Sequence, residues 1–209
     1  YLVSEHTVLM RINVWKMKNC LVWVAFFAAL LPSQVFSKVN LFACEPEWSA
    51  LARALGKEKI KAWSATSEIQ DAHYIRARPS LIAKIRSANL IFCSGAGLEV
   101  GWLPILMQRG ARSEVQSGKI GNLMAFEYVN VLEIPVVIDR SLGDIHPEGN
   151  PHLHLDPRNL VGLSKELLRR LAIIDPDNEA VFKNNADMFT KIWRKKISAW
   201  EKRAAKLKN

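Results

Sequence analysis

The sequence predicts an α/β fold: an N-terminal lobe with a short parallel sheet flanked by helices, followed by one long connecting helix. Three observations lead there. Short apolar runs alternate with helical stretches of two to three turns between residues 39 and 108, which is the βαβ pattern of a parallel sheet. The last part of the chain carries apolar residues at steps of three and four, the stripe of a single amphipathic helix. A composition with 49% hydrophobic and 23% charged residues over 209 positions gives enough apolar surface for a core and excludes disordered and low-complexity classes.

Residues 1–37 read as a targeting segment. Lys16 and Lys18 precede the apolar run Cys20–Leu31, and Val35 and Ser37 supply small residues at the −3 and −1 positions of a cleavage site after Ser37. That is a secretory signal peptide. The competing reading, a membrane anchor, needs about 20 apolar residues, and this run is shorter. Tyr1 is not an initiator, so Met10 or Met17 is the expected start. The mature chain then begins near Lys38, in an oxidising compartment. Leu41-Phe42-Ala43-Cys44 has the look of a lipidation motif, but reads better as the first strand.

In the mature chain, Val39–Cys44, Ile60–Ala65 and Leu90–Cys93 are the expected strands. Trp48–Leu55, Leu81–Ala88 and Val100–Gln108 are the expected helices between and after them. Residues 110–156, with glycines at 110, 118, 121, 143 and 149, read as irregular, apart from a short strand at Val136-Val137-Ile138. Asp156 is expected to cap a helix opened by Pro157 and running to Ile174. Asp177 is expected to cap the last helix, whose stripe runs Phe182, Ala186, Phe189, Trp193, Ile197, Trp200, Ala204 and Leu207. Core packing is the plain reading of that stripe. The domain organisation is therefore 1–37 signal peptide, 38–156 N-terminal lobe, and 157–209 helices that include a long helix at 177–208.

The formal net charge is +9, but residues 38–182 are neutral and the excess sits at residues 183–209, which carry +7. A nucleic-acid reader spreads charge over its binding face, so nucleic acid is not an expected partner. The basic residues of the last helix read as a solvated face with apolar stems.

Ligands of open parallel sheets bind beyond the carboxyl ends of the strands. Cys44, His73 and Gly95 fall at or just past those ends. Four histidines of the mature chain, His73, His146, His152 and His154, lie in two loops, and neutral imidazole is a common ligand of Zn²⁺. In an extended segment His152 and His154 would face the same side. The alternative is a set of surface histidines. No phosphate-cradling loop, nucleophile elbow or Cys-x-x-Cys motif occurs. In a 2-1-3-4 sheet, Cys44 and Cys93 end neighbouring strands. They form a disulfide, as the compartment favours, or lie buried as small apolar groups, or flank a metal.

Three segments, FACEPEWSALA, QDAHYIRARPSLIAKIRSANLIFCSGAGLEVGWLPIL and GDIHPEGNPHLHLDPRNL, resemble in order the metal-receptor class of ABC-transporter solute-binding proteins, the zinc and manganese binders of the bacterial periplasm. The resemblance runs from about Val39 to the end. It implies a lobe followed by a rigid interlobe helix, with metal in the cleft between two lobes. It also implies His73 and His152 as metal ligands, Zn²⁺ (with Mn²⁺ as alternative) as cargo, a cognate permease in the inner membrane as partner, a periplasmic location and a monomeric binding protein rather than an enzyme. Ala72 stands where the family usually has proline, and Gly97 where an acidic residue is common. The chain matches only the first lobe and the connecting helix, so the second lobe, with its ligands, is expected to be absent. A non-functional fragment of such a protein is the alternative, and a metal-dependent hydrolase using His152 and His154 is a more distant one. With two protein ligands, capture of the ion is expected to be weak and exchangeable.

Overall fold

The structure, a computed structural model, describes residues 38–207 except 139, 140, 142 and 144; the expected signal peptide lies outside the described residues. Four parallel strands form one sheet: β1 (Val39–Ala43), β2 (Ile60–Ser64), β3 (Leu90–Cys93) and β4 (Asn122–Met124), in the order β2-β1-β3-β4. Phe42 of β1 lies beside Trp63 of β2 on one edge and beside Ile91 of β3 on the other. The helices are α1 (Pro46–Gly56), α2 (Pro79–Arg86), α3 (Leu103–Gly110), α4 (Asn159–Ile174) and α5 (Glu179–Ala204).

The side-chain period of two in a strand sends neighbours to opposite faces. In β1 and β3, Leu41, Ala43, Leu90 and Phe92 join one core cluster, with Trp48 and Leu55 of α1, Leu163, Leu167 and Leu171 of α4 and Phe182 of α5. Phe42, Cys44, Ile91 and Cys93 join the other, with Leu81 and Ile85 of α2 and Leu106 of α3. Both faces of the sheet are therefore covered, as a parallel sheet requires.

The expected strand order and the first three strands are found. The strand expected at Val136–Ile138 is not: Val136 is wholly exposed, and the fourth strand is instead Asn122–Met124. Its entry is fixed by Arg170 of α4, which is buried and donates to the carbonyls of Lys119, Ile120 and Asn122 at 3.2, 2.7 and 2.5 Å. The guanidinium also pairs with Glu166 at 2.8 Å, so its charge is compensated. Three carbonyls aimed at one cation hold a three-residue strand that apolar patterning alone does not mark.

The helix expected from Val100 begins at Leu103, after a turn. Asp156 has extended backbone, and its Oδ1 accepts from Arg158 N at 2.9 Å, capping a lead-in turn before the regular helix at Asn159. Asp177 does not cap α5; it lies inside the 3₁₀ turn Pro176–Asn178. The apolar stripe of α5 divides. Phe182 and Ala186 are buried, Asn185 Nδ2 donates to the Leu55 carbonyl at 2.8 Å, and Trp193 Nε1 donates to that of Pro157 at 2.8 Å. Trp200 and Leu207 at the far end are exposed, so plain core packing accounts for the first half only. No helix among the described residues is long and apolar enough to cross a membrane.

Cys44 and Cys93 form a disulfide across the carboxyl ends of β1 and β3, with Cα atoms 4.8 Å apart, inside the range the bridge requires. It closes a loop between cysteines 49 positions apart. Replacing both cysteines by serine should lower the unfolding free energy in urea by about 2–5 kcal/mol; an unchanged denaturation midpoint would show that the bridge contributes nothing to stability.

Candidate metal centre

Because all four strands are parallel, their carboxyl ends share one edge, and the connections leaving that edge carry the histidines. His73 follows β2 in the 3₁₀ turn Ala72–Tyr74. Asp71 holds it twice: its Oδ1 accepts from His73 N at 2.9 Å and from the ring Nδ1 at 2.7 Å. The backbone hydrogen bond, with that from the ring, keeps the Asp71 carboxyl below its ordinary pKa. From the other side Trp102, buried at the start of α3, donates its Nε1 to the Ala72 carbonyl at 2.8 Å. The backbone of this turn is thus anchored to the core, and the ring's Nε2 is left on the side away from Asp71.

His146 comes from the long connection after β4. Its Nδ1 lies 3.0 Å from the Ala96 carbonyl, and its Nε2 lies 3.0 Å from His73 Nε2. The Ala96 carbonyl is presented by a backbone that turns through left-handed conformations at Gly95, Ala96 and Gly97 (φ +74°, +51° and +80°). Glycine at 97 meets that φ, and it also leaves space: a Cβ there would sit 3.3 Å from His146 Nδ1.

His152 completes the cluster, its ring centre 6.2 Å from that of His73. His73, His146 and His152 line one cavity of about 500 Å³, with Glu133, Val137 and Asn150 on its walls. Burial, then the neighbouring histidines, lower the pKa of His152, which favours the neutral ring that ligates metals.

His154 does not face the way the sequence suggested. Leu153–Leu155 is a 3₁₀ turn, not an extended piece, and the rings of His152 and His154 meet edge-on at 6.2 Å. His154 Nδ1 turns to Glu47 Oε1 of α1 at 2.9 Å. The contact is close but not a well-directed hydrogen bond, because Nδ1 has no partner of good hydrogen-bond geometry. Burial pushes the Glu47 carboxyl up, but the contact with His154, a backbone hydrogen bond and the nearby His152 together outweigh it, and the net shift is downward. Spacing gave no signal for Glu47, Asp71 or the Ala96 carbonyl as partners of these rings, since each meets its histidine through a turn.

Behind the cluster lies a buried carboxyl pair. Glu99 accepts from Ser94 N at 2.8 Å and from Gly95 N at 3.1 Å, and Glu45 accepts from Ser94 Oγ at 3.1 Å. Ser94 Oγ also accepts from Trp48 Nε1 at 2.9 Å. Glu45 Oε1 is buried with no hydrogen-bond partner among the described residues. Burial first, then the charge of Glu99, raise the Glu45 pKa well above the ordinary carboxylate value, and burial raises that of Glu99. A glutamate oxygen of this pair and the sulfurs of Cys44 and Cys93 lie within 4.8 Å of one another. Those sulfurs are joined to each other and offer no thiolate, so the trio is not a metal cage.

The sequence places the chain once this geometry is known. Residues 42–209 match the family model described as ZnuA, zinc-uptake complex component A, periplasmic. The chain belongs to the ZnuA family. Among relatives of this ZnuA-family chain is the manganese ABC transporter substrate-binding lipoprotein scaA of Streptococcus gordonii, 26% identical over 171 residues, covering 80% of this chain and 51% of scaA. PsaA of Streptococcus mitis, also named a manganese ABC transporter substrate-binding lipoprotein, is 24% identical over 156 residues, covering 73% of this chain and 47% of PsaA. The chain spans about half the length of the curated relatives it matches. Its fold is that of the Mn-bound periplasmic metal binding protein from Candidatus Liberibacter asiaticus, with a TM-score of 0.65 at 18% identity over 81% of this chain and 58% of that one.

Because the folded state holds the Glu45 proton more tightly than the unfolded chain, the contribution of Glu45 to stability is full below the unfolded glutamate pKa of about 4.3 and is lost as pH rises through the raised value. The limiting slope is about 1.4 kcal/mol per pH unit for each extra proton held. Glu45→Gln keeps the hydrogen bond without the titration, so urea denaturation at a series of pH values should show a shallower decline. An identical slope would contradict the buried proton.

Proposed function

We propose that this chain binds a divalent transition-metal ion, Zn²⁺ in the first instance, at His73 and His152, as the solute-binding component of an ABC metal importer. The observation that carries this reading is the convergence of imidazoles from separate connections on one cavity beyond the carboxyl edge of the sheet. Two features support it further. Asp71 bonded to His73 Nδ1 is the carboxylate–histidine pairing that orients a metal-ligating ring and raises its basicity. The family description is zinc uptake in the periplasm, and scaA and PsaA are named as substrate-binding proteins rather than enzymes. Delivery to a permease in the inner membrane and export of the chain to the periplasm belong to the same proposal.

Manganese is the second reading, favoured by the names of scaA and PsaA. Imidazole nitrogen suits zinc, whereas carboxylate and water oxygen suit manganese, and the described cavity is lined by three imidazoles and one carboxylate, that of Glu133. In isothermal titration at neutral pH, the chain should bind zinc with water completing the coordination, and His73→Ala should weaken binding at least about tenfold, the scale on which metal sites respond even to loss of supporting groups. No heat of binding at millimolar zinc would overturn the reading.

A further inference from the structure

We propose that His146 is a third nitrogen ligand of the same ion and the residue that tilts the site toward zinc over manganese. This rests on the metal-binding reading and extends it to a residue that the matched Asp-x-His and Asn-Pro-His elements do not supply. The tautomers follow from the partners. His73 Nδ1 faces a carboxylate oxygen and His146 Nδ1 faces a carbonyl oxygen. Both partners are acceptors, so each Nδ1 carries the hydrogen and each Nε2 is left as a lone pair. Those two lone pairs point at each other across 3.0 Å. That arrangement repels unless a cation lies between them.

The geometry matches a shared metal ion. Zinc–nitrogen bonds of about 2.05 Å at a tetrahedral angle set ligating nitrogens about 3.3 Å apart and imidazole centres about 5.2 Å apart. The rings of His73 and His146 are 5.1 Å apart, whereas those of His73 and His152 are 6.2 Å apart. Judged by spacing, His146 is the better-placed partner of His73, and His152 must move closer to join a tetrahedral ion. The protein holds His146 in place by two devices, the left-handed turn that presents the Ala96 carbonyl and the missing side chain at Gly97. The lobe therefore contributes three imidazoles of its own.

A third nitrogen donor strengthens zinc far more than manganese, because affinity for nitrogen ligands rises along the divalent series toward zinc and manganese prefers oxygen. Zinc and manganese titrations of the disulfide-intact chain and of His146→Ala are the test. The variant should lose at least about tenfold in zinc affinity, the scale of a lost metal-site contact, with a smaller loss for manganese, so that the zinc-to-manganese ratio falls. Zinc affinity within about twofold of the parent would mean that only a proton bridges the two rings. Equal losses for both metals would mean a structural role; either result overturns the proposal. On the unmutated chain, nitrogen-15 spectra give a readout independent of folding of the variant. Zinc should shift the Nε2 signals of His73, His146 and His152 together, and an unmoved His146 signal overturns the proposal. A parent chain that binds no zinc instead defeats the metal-binding reading itself.

Discussion

Parallel pairing of β1 with both β2 and β3 is the constraint from which the rest follows. It puts the carboxyl ends of the strands on one edge, and so brings to one place connections that are far apart in sequence. Residues 71–74 and 94–97 meet there for that reason, and residues 146–154 reach the same edge after β4, which pairs in parallel with β3. The same pairing requires apolar cover on both faces, which α1, α4 and α5 supply on one side and α2 and α3 on the other. With the helices occupied in this way, polar chemistry is confined to the edge.

At that edge the chain is locked by a short stack of interactions. The Cys44–Cys93 bridge ties the ends of β1 and β3. Immediately beyond it, Ser94 takes hydrogen bonds to Glu45, Glu99 and Trp48. The backbone leaving Ser94 is therefore fixed when it enters the left-handed turn, and the Ala96 carbonyl is aimed at His146. Two buried carboxyls repel if both are ionised, and burial and this proximity raise the pKa of Glu45 while both accept hydrogen bonds from Ser94. The support of the imidazole cluster thus begins at the strand ends and the residues that follow them directly.

Much of this was legible in the sequence, and the misses have physical causes. The order of the sheet, the disulfide partners and the location of His73 and His152 in connections from one edge follow from alternating strands and helices and from short motifs. β4 was hidden because Asn122-Leu123-Met124 has three residues and no alternation, and is held by Arg170 from a helix 48 positions away. Val136-Val137-Ile138 has strand chemistry but pairs with no strand of the sheet, and the place beside β3 is taken by β4. His154 was assigned the wrong direction because a 3₁₀ turn replaces the extended backbone that a two-residue period assumes. Glu47 and Asp71 escaped notice as partners because proximity through space leaves no trace in spacing.

The apolar stripe of α5 shows a related limit. Periodicity identifies a face, not what covers it: Phe182 and Ala186 reach the lobe's core, while Trp200 lies beyond it. The imidazole cluster is independent of that far end, because each of its rings is placed by contacts within residues 45–154. The most direct test of the cluster as a metal centre is anomalous diffraction at the zinc edge from crystals of the disulfide-intact chain grown with zinc. The expected result is one strong peak at about 2.1 Å from the Nε2 atoms of His73 and His146, with His152 drawn in. A peak at His154 and Glu47 instead, with His73 and His146 unmoved and unbound, would contradict it.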